Sequence, residues 1–204
     1  FTKKIERTVR RQDYNLTDSD FVLVFAGRII PEKGVLQLLT ALQELNGFPE
    51  IKLLMIGGTF YGNEMEDSQY IDELRTQSAN IQDRIIFTGF KPYQEIPALL
   101  ALADIAVLPS TWDEPLGQTC IEAMAMGLPI VTTDKGGIPE TVTTECAEIL
   151  QVTNNLHKDL AESILKLYSH PEKREAMAKA AINRSKEFSK ERYAKDFFDA
   201  IASV

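Results

Sequence analysis

The sequence predicts an α/β fold, a doubly wound parallel sheet of about six strands with helices on both faces. Three observations carry this. Short runs that are apolar at nearly every position, such as Phe21 to Phe25 (Phe-Val-Leu-Val-Phe), suit strands covered on both sides, as parallel sheets are. Segments with helical periodicity alternate with these runs. The runs end at Gly27, Gly57, Gly89 and Pro109, residues that let a chain turn out of a sheet edge.

In order, residues 1–20 are polar and locally basic (Lys3, Lys4, Arg7, Arg10, Arg11) and read as a solvated arm or linker before a domain at 21–204. After the first strand, Gly34 opens a helix running to about Leu45, with Leu36, Leu39, Ala41 and Leu42 on a helical period. Ile51 to Ile56 is a strand, Thr59 to Ser68 a polar insertion, and Tyr70 to Ala79 a helix. A strand at Ile85 to Thr88 precedes a helix from Tyr93 to Ala103, in which Pro97 fits the first turn. Ile105 to Leu108 and Leu128 to Thr132 are strands. Gly136-Gly137-Ile138-Pro139 opens a further helix with Glu140 in its first turn, and Ala147 to Val152 is a sixth strand. Helices at Leu156 to Tyr168, Glu172 to Glu187 and Arg192 to Ala202 close the chain.

The bulk properties exclude several classes. The 204 residues suffice for one large domain with a sizeable core. A net charge of −8 argues against nonspecific nucleic-acid binding. No apolar run is long enough to span a bilayer, and no signal peptide is evident. Cys120 and Cys146 form no disulfide framework and suit buried thiols in a reducing compartment, so a cytoplasmic location is expected. His157 and His170 have no partners at metal-ligand spacing, so no metal is expected. The first residue is Phe, which suits a fragment or a processed chain.

The chemistry concentrates between Pro109 and Val131. An apolar run stops at Pro109, a polar loop follows, and an Ala/Met-rich helical segment leads to the next apolar run. Leu116, Gly117, Gln118 and Thr119 are expected to form the first helical turn. Its unpaired N–H groups would attract an anion, a phosphate above all. Glu114 precedes this helix and Glu122 lies within it, among small or apolar neighbours. Glu122 is either on the helix's one solvated stripe or an acceptor for ligand hydroxyls. Two carboxylates beside a phosphate site would repel it unless cations stand near. Such cations follow the first strand, in Gly27-Arg28-Ile29-Ile30-Pro31-Glu32-Lys33-Gly34. In doubly wound sheets ligands bind outside the carboxyl ends of the strands, where Gly27, Gly57, Gly89 and the Pro109–Thr119 loop are expected to gather.

These residues carry a resemblance. Gly27-Arg28 through Lys33-Gly34, Phe87-Thr88-Gly89-Phe90, Glu114-Pro115-Leu116-Gly117 with Glu122-Ala123-Met124-Ala125, and Gly127-Leu128-Pro129-Ile130-Val131 are similar to motifs of family 4 glycosyltransferases. The likeness is to the Rossmann-like C-terminal half of their GT-B fold, and it covers about residues 20–150 in motif detail. It implies a donor-binding domain for a nucleotide-diphosphate sugar, a UDP-sugar favoured, in a retaining transferase that needs no metal or other cofactor. By position, Arg28 and Lys33 would hold the diphosphate. Backbone N–H groups of Leu116, Gly117, Gln118 and Thr119 would bind the distal phosphate or sugar. Glu114 would contact sugar hydroxyls, Glu122 the ribose, and backbone around Phe90 and Lys91 the base. Gly27 and Gly57 would border the site.

Two departures stand out. Leu116 occupies a position where many members carry an aromatic residue, and GT-B enzymes have an N-terminal half that is not in this sequence. An acceptor glycan or lipid, and any peripheral membrane association, would belong to that half. The expected setting is bacterial polysaccharide or glycoconjugate synthesis at the cytoplasmic side. The competing readings are a non-catalytic nucleotide-binding regulatory module and an epimerase or phosphorylase of the same architecture. A dinucleotide-dependent oxidoreductase is disfavoured because no Gly-x-Gly-x-x-Gly follows the first strand.

Overall fold

A computed structural model describes residues 9–59 and 69–202. Lys3, Lys4 and Arg7 of the basic arm and residues 60–68 of the polar insertion lie outside the described residues. Six strands form one sheet: β1 (Phe21–Ala26), β2 (Ile51–Ile56), β3 (Ile85–Phe87), β4 (Ile105–Leu108), β5 (Ile130–Thr133) and β6 (Ala147–Leu150). Their order is β3-β2-β1-β4-β5-β6, and all neighbours run parallel. The connections include α1 (Val35–Glu44), α2 (Gln69–Gln77), α3 (Ile96–Leu100), α4 (Gln118–Ala125) and α5 (Ile138–Thr141). The chain then continues through α6 (Leu156–Ser169), α7 (Pro171–Ser185) and α8 (Lys190–Ala202).

The uniformly apolar strands are explained by two cores. Successive side chains of a strand point to opposite faces. Phe21, Leu23 and Phe25 of β1 enter one core with Leu38 and Leu42 of α1 and Leu160 and Ile164 of α6. Val22, Val24 and Ala26 enter the other, with Cys120, Ala123 and Met124 of α4 and Ala181 of α7. β1 is therefore buried at all six positions. Beyond the strand ends the chain stays in register: Gly27 N–H donates to Ile56 O (3.0 Å), Ile29 N–H to Gly58 O (2.9 Å) and Gly57 N–H to Gly89 O (3.1 Å). The three glycine turns thus sit side by side, as the sequence predicts.

The structure corrects several expectations. Of the solvated arm, residues 9–20 are docked instead. Leu16 is 1% exposed, and Val9 and Tyr14 pack against the second core. Arg11 donates from Nε to Leu102 O (3.0 Å) and pairs through Nη2 with Asp104 Oδ2 (2.9 Å). A few scattered apolar residues in a short polar stretch give no periodicity from which to read this. The helix expected over 93–103 is confined to α3, because the chain tightens at its end, with Leu102 N–H on Leu99 O and Ala103 N–H on Leu100 O. Short 3₁₀ turns at Arg11–Tyr14, Pro31–Lys33, Ala79–Arg84 and Lys186–Phe188 are too brief to show as a pattern. α8 ends the described chain with Tyr193, Phe197, Phe198 and Ile201 exposed.

Candidate functional site

The strand order reverses between β1 and β4, so the loops leaving these two strands diverge and open a crevice. The loop after β1 carries Gly27, Arg28 and Lys33; the loop after β4 runs from Pro109 to Gly117. Pro31 starts the 3₁₀ turn that presents Lys33, and Gly34 N–H closes it on Pro31 O (3.0 Å). The two loops are joined by backbone: Thr111 N–H donates to Glu32 O at 2.8 Å.

Across this junction Lys33 Nζ donates to Glu114 Oε1, and Ser110 Oγ donates to the same oxygen at 2.7 Å. Lys33 is half-buried in this pair, with 22% of its side chain accessible and 12% of that of Glu114. Burial pushes the Glu114 carboxyl up, but hydrogen bonds from Lys33 and Ser110, the Lys33 charge and a hydrogen bond from Trp112 outweigh it. The net effect holds the group below the ordinary glutamate range, so Glu114 is a carboxylate at neutral pH. Arg28 is exposed at the end of β1.

The backbone around Glu114 is gripped from the loop between β5 and α5. Gly137 N–H donates to Glu114 O (2.6 Å), and Gly136 N–H to Asp113 Oδ1 (3.2 Å). Gly136 has φ +57°, and a Cβ there would overlap the Glu114 backbone. Only glycine fits at that close approach.

α4 begins at Gln118, two residues later than expected. Gly117 is its N-cap in a left-handed conformation (φ 69°), which leaves Leu116 outside the helix and 49% exposed. The Leu116 carbonyl is held by the Thr141 hydroxyl. No side chain caps α4, and its first bond is Cys120 N–H to Gly117 O (2.8 Å). The N–H groups of Gln118 and Thr119 therefore precede the intrahelical ladder at a terminus suited to an anion. Lys33, Ser110, Glu114, Gly117, Thr119 and Cys120 line a cavity of about 20 Å³ with the ends of β1 and β4. Burial pushes the Cys120 thiol up to about 12, so it stays neutral.

Glu122 lies one turn further along α4. It is half-buried, and burial raises its carboxyl above the ordinary value despite hydrogen bonds from Tyr93 and Gln118. Tyr93 belongs to the loop after β3, as do Phe90 (38% exposed) and Lys91. The Tyr93–Glu122 hydrogen bond thus brings that loop beside α4.

The structure joins Lys33, Glu114, Gly117 and Thr119 around one cavity, and sets Glu122 with Tyr93 apart from it. The sequence reading missed Ser110, Tyr93, Trp112 and the Gly136–Gly137 turn. Ser110 had a faint signal, a small hydroxyl residue directly after the Pro109 that stops a strand. A larger cavity of about 270 Å³, with Ala98, Met126, Gly127 and Arg174 in its lining, contains none of these residues. Among the described residues no helix is long and apolar enough to cross a membrane.

Comparison with known proteins places the chain in a family. Residues 6–184 match the family described as glycosyl transferases group 1. YtcC of Bacillus subtilis, assigned by its name to the glycosyltransferases, is 35% identical over 176 residues, 86% of this chain and 43% of that protein. A Corynebacterium glutamicum protein named as a GDP-mannose-dependent phosphatidylinositol monomannoside mannosyltransferase is 30% identical over 182 residues, 86% of this chain and 45% of that one. The crystal structure of Anabaena HepE in complex with UDP superposes with a TM-score of 0.83 at 26% identity, covering 95% of this chain and 51% of HepE. HepE has also been crystallised with UDP-glucose. This chain spans less than half the length of these two relatives. With its six-stranded parallel sheet and its matched motifs, the chain belongs to the group 1 glycosyl transferases, with the fold of the C-terminal half of the GT-B type.

Proposed function

We propose that this chain is the donor-binding half of a retaining, family 4 glycosyltransferase, that its donor is a UDP-sugar, and that the whole protein passes a hexosyl unit to a glycan or lipid acceptor in polysaccharide or glycoconjugate synthesis at the cytoplasmic side. The observation that carries this reading is the convergence of Lys33, Glu114 and the uncapped start of α4 on one cavity at the switch point of the sheet.

Breaking the bond between an anomeric carbon and a diphosphate builds negative charge on the departing phosphate. Lys33 and Arg28 supply cations, and the α4 terminus supplies N–H groups and a positive dipole end. In this reading the charge is met without a metal or other cofactor. Glu114 is left to accept hydroxyls of the transferred sugar, Glu122 those of the ribose, and the backbone at Phe90 and Lys91 meets the base. Uridine is favoured because HepE, a structural neighbour, is seen with UDP and UDP-glucose; a GDP-mannose-dependent relative makes guanosine the alternative worth testing. The acceptor is expected to come from the remainder of the protein, so this chain alone is expected to bind donor without transferring it.

A thermal-shift panel of UDP-, GDP- and ADP-sugars tests the reading. A ligand at a hundredfold over its Kd stabilises by about 2.7 kcal/mol, or roughly 5–10 °C for a chain of this size. The expected result is a shift by UDP and UDP-sugars. A shift by GDP-sugars alone would reassign the base, and no shift by any of the panel would overturn the donor-site reading.

A further inference from the structure

We infer that Ser110 is the positioning residue for Glu114: its hydroxyl fixes the carboxylate in the orientation that receives the donor sugar, and keeps it there when Lys33 turns to the diphosphate. The inference rests on the donor-site reading above and deepens it at a residue outside the motifs quoted for the family.

Glu114 Oε1 accepts from two side chains, Lys33 and Ser110. These partners differ in what else they can do. Lys33 is a flexible cation, and a diphosphate in the cavity offers it a stronger counter-charge than one carboxylate. Ser110 is fixed. It is 5% exposed, directly follows Pro109 at the end of β4, and its carbonyl accepts the Thr133 hydroxyl of β5 at 2.6 Å. Its single hydroxyl hydrogen has a choice among Glu114 Oε1 at 2.7 Å, Glu32 O at 3.1 Å and Trp112 O at 3.5 Å. Glu32 O already accepts Thr111 N–H at 2.8 Å, so the shorter, charge-assisted bond to Glu114 takes it. The Gly136–Gly137 turn holds the Glu114 backbone from the other side. Once Lys33 leaves, Ser110 remains to anchor Oε1 and leaves the rest of the carboxylate for sugar hydroxyls.

The titratable groups against Glu114 are Lys33 from the β1–α1 loop and Cys120 from α4, and the thiol stays neutral. A donor hydroxyl on Oε1 stabilises the ionised form. Removing it therefore moves protonation of Glu114 to higher pH.

The experiment titrates this chain with UDP and with UDP-glucose, as wild type, Ser110→Ala, Ser110→Thr, Glu114→Gln and the Ser110→Ala/Glu114→Gln double variant, from pH 4.5 to 8. The quantity read is the ratio of the two affinities, the part due to the sugar. Ser110→Ala is expected to lower that ratio about tenfold, the size of one charge-assisted hydrogen bond. The pH at which the ratio collapses should rise in this variant. Ser110→Thr, which keeps the hydroxyl, should restore both. The double variant should lose no more than Glu114→Gln alone, because residues acting through one group do not add. A ratio that survives Ser110→Ala but not Glu114→Gln overturns the positioning role and leaves the donor-site reading standing. Additive losses in the double variant also overturn it. A ratio untouched by Glu114→Gln overturns the assignment of the sugar to Glu114 and with it the positioning role, and a wild type that binds neither probe overturns the reading of UDP as the donor nucleotide. Should Ser110→Ala not fold, Ser110→Cys in the same titrations decides, since its thiol is a weak donor and should behave as the alanine does.

Discussion

Lys33 and Glu114, separated by 81 positions in the chain, form an ion pair across the loops that leave β1 and β4. The pair binds the two sides of the crevice to each other before any donor is present. It also ties the site to stability. The folded-state pKa of Glu114 is depressed, so its contribution is present above the unfolded value and is lost as pH falls through the folded one.

The two cations should therefore respond differently to removal. Lys33→Ala leaves a half-buried carboxylate without its charge partner, and should cost about 1–3 kcal/mol of stability at pH 7. The deficit should shrink as the pH falls and Glu114 protonates. Arg28→Ala, at an exposed position, should change stability by less than about 0.5 kcal/mol. Both should weaken UDP by roughly 1.5–3 kcal/mol. Urea titrations at pH 7 and pH 4.5, beside calorimetry, check all four expectations; a Lys33→Ala deficit that is absent at pH 7, or that does not shrink at pH 4.5, would contradict the pairing.

Glu122 should show a trade between stability and binding. Burial raises its carboxyl, so the cost of holding it ionised is fully present above the folded-state pKa and vanishes as pH falls below the unfolded value. Glu122→Gln should raise the stability of the ligand-free chain at pH 7 by about 0.5 kcal/mol. The same change should weaken nucleotide. Thermal unfolding with and without UDP measures both, and a variant that is less stable yet binds UDP normally would return Glu122 to a structural role.

The two glutamates should separate by ligand. Glu122→Gln should weaken UDP and UDP-glucose alike, because ribose is common to both. Glu114→Gln should spare UDP and lose only the affinity added by the sugar. Losses of about 1–2 kcal/mol are expected, since Gln keeps one acceptor oxygen. Four titrations in one buffer suffice, and the opposite pattern would exchange the assignments.

At Gly136 a methyl group meets backbone rather than a side chain that can move. Gly136→Ala should cost more than about 2 kcal/mol and should also displace Glu114, so that any residual folded protein binds UDP-glucose no better than UDP. Gly47→Ala is the control, because a Cβ there has nothing within 4 Å. Chemical denaturation of the two variants distinguishes a packing effect from a general intolerance of alanine.

Much of this protein was legible in the sequence. The continuous apolar runs predicted the strands, and β2 and β4 match the predicted limits residue for residue. They were legible because burial on both faces of a parallel strand is written locally, one residue at a time. Lys33, Glu114 and the α4 start stood out in the sequence as residue types at loop positions, and the structure brings them together around one cavity. The start of α4 was misjudged by two residues, since the left-handed Gly117 that delays it depends on its surroundings, with Ile138 packed against it.

By itself the sequence determined the succession of strands and helices along the chain and the charged residues in the loops between them, because each follows from short-range periodicity and chain punctuation; the order of strands in the sheet, and the crevice it opens between β1 and β4, came from the tertiary structure. Only the tertiary structure decided that Lys33 already holds Glu114, that Ser110 and the Gly136–Gly137 turn fix it, and that Tyr93 reaches Glu122. These relations join segments far apart in the chain through hydrogen bonds whose direction and length spacing does not encode. They exist only once the two cores have set the sheet and the loops at its carboxyl edge in place.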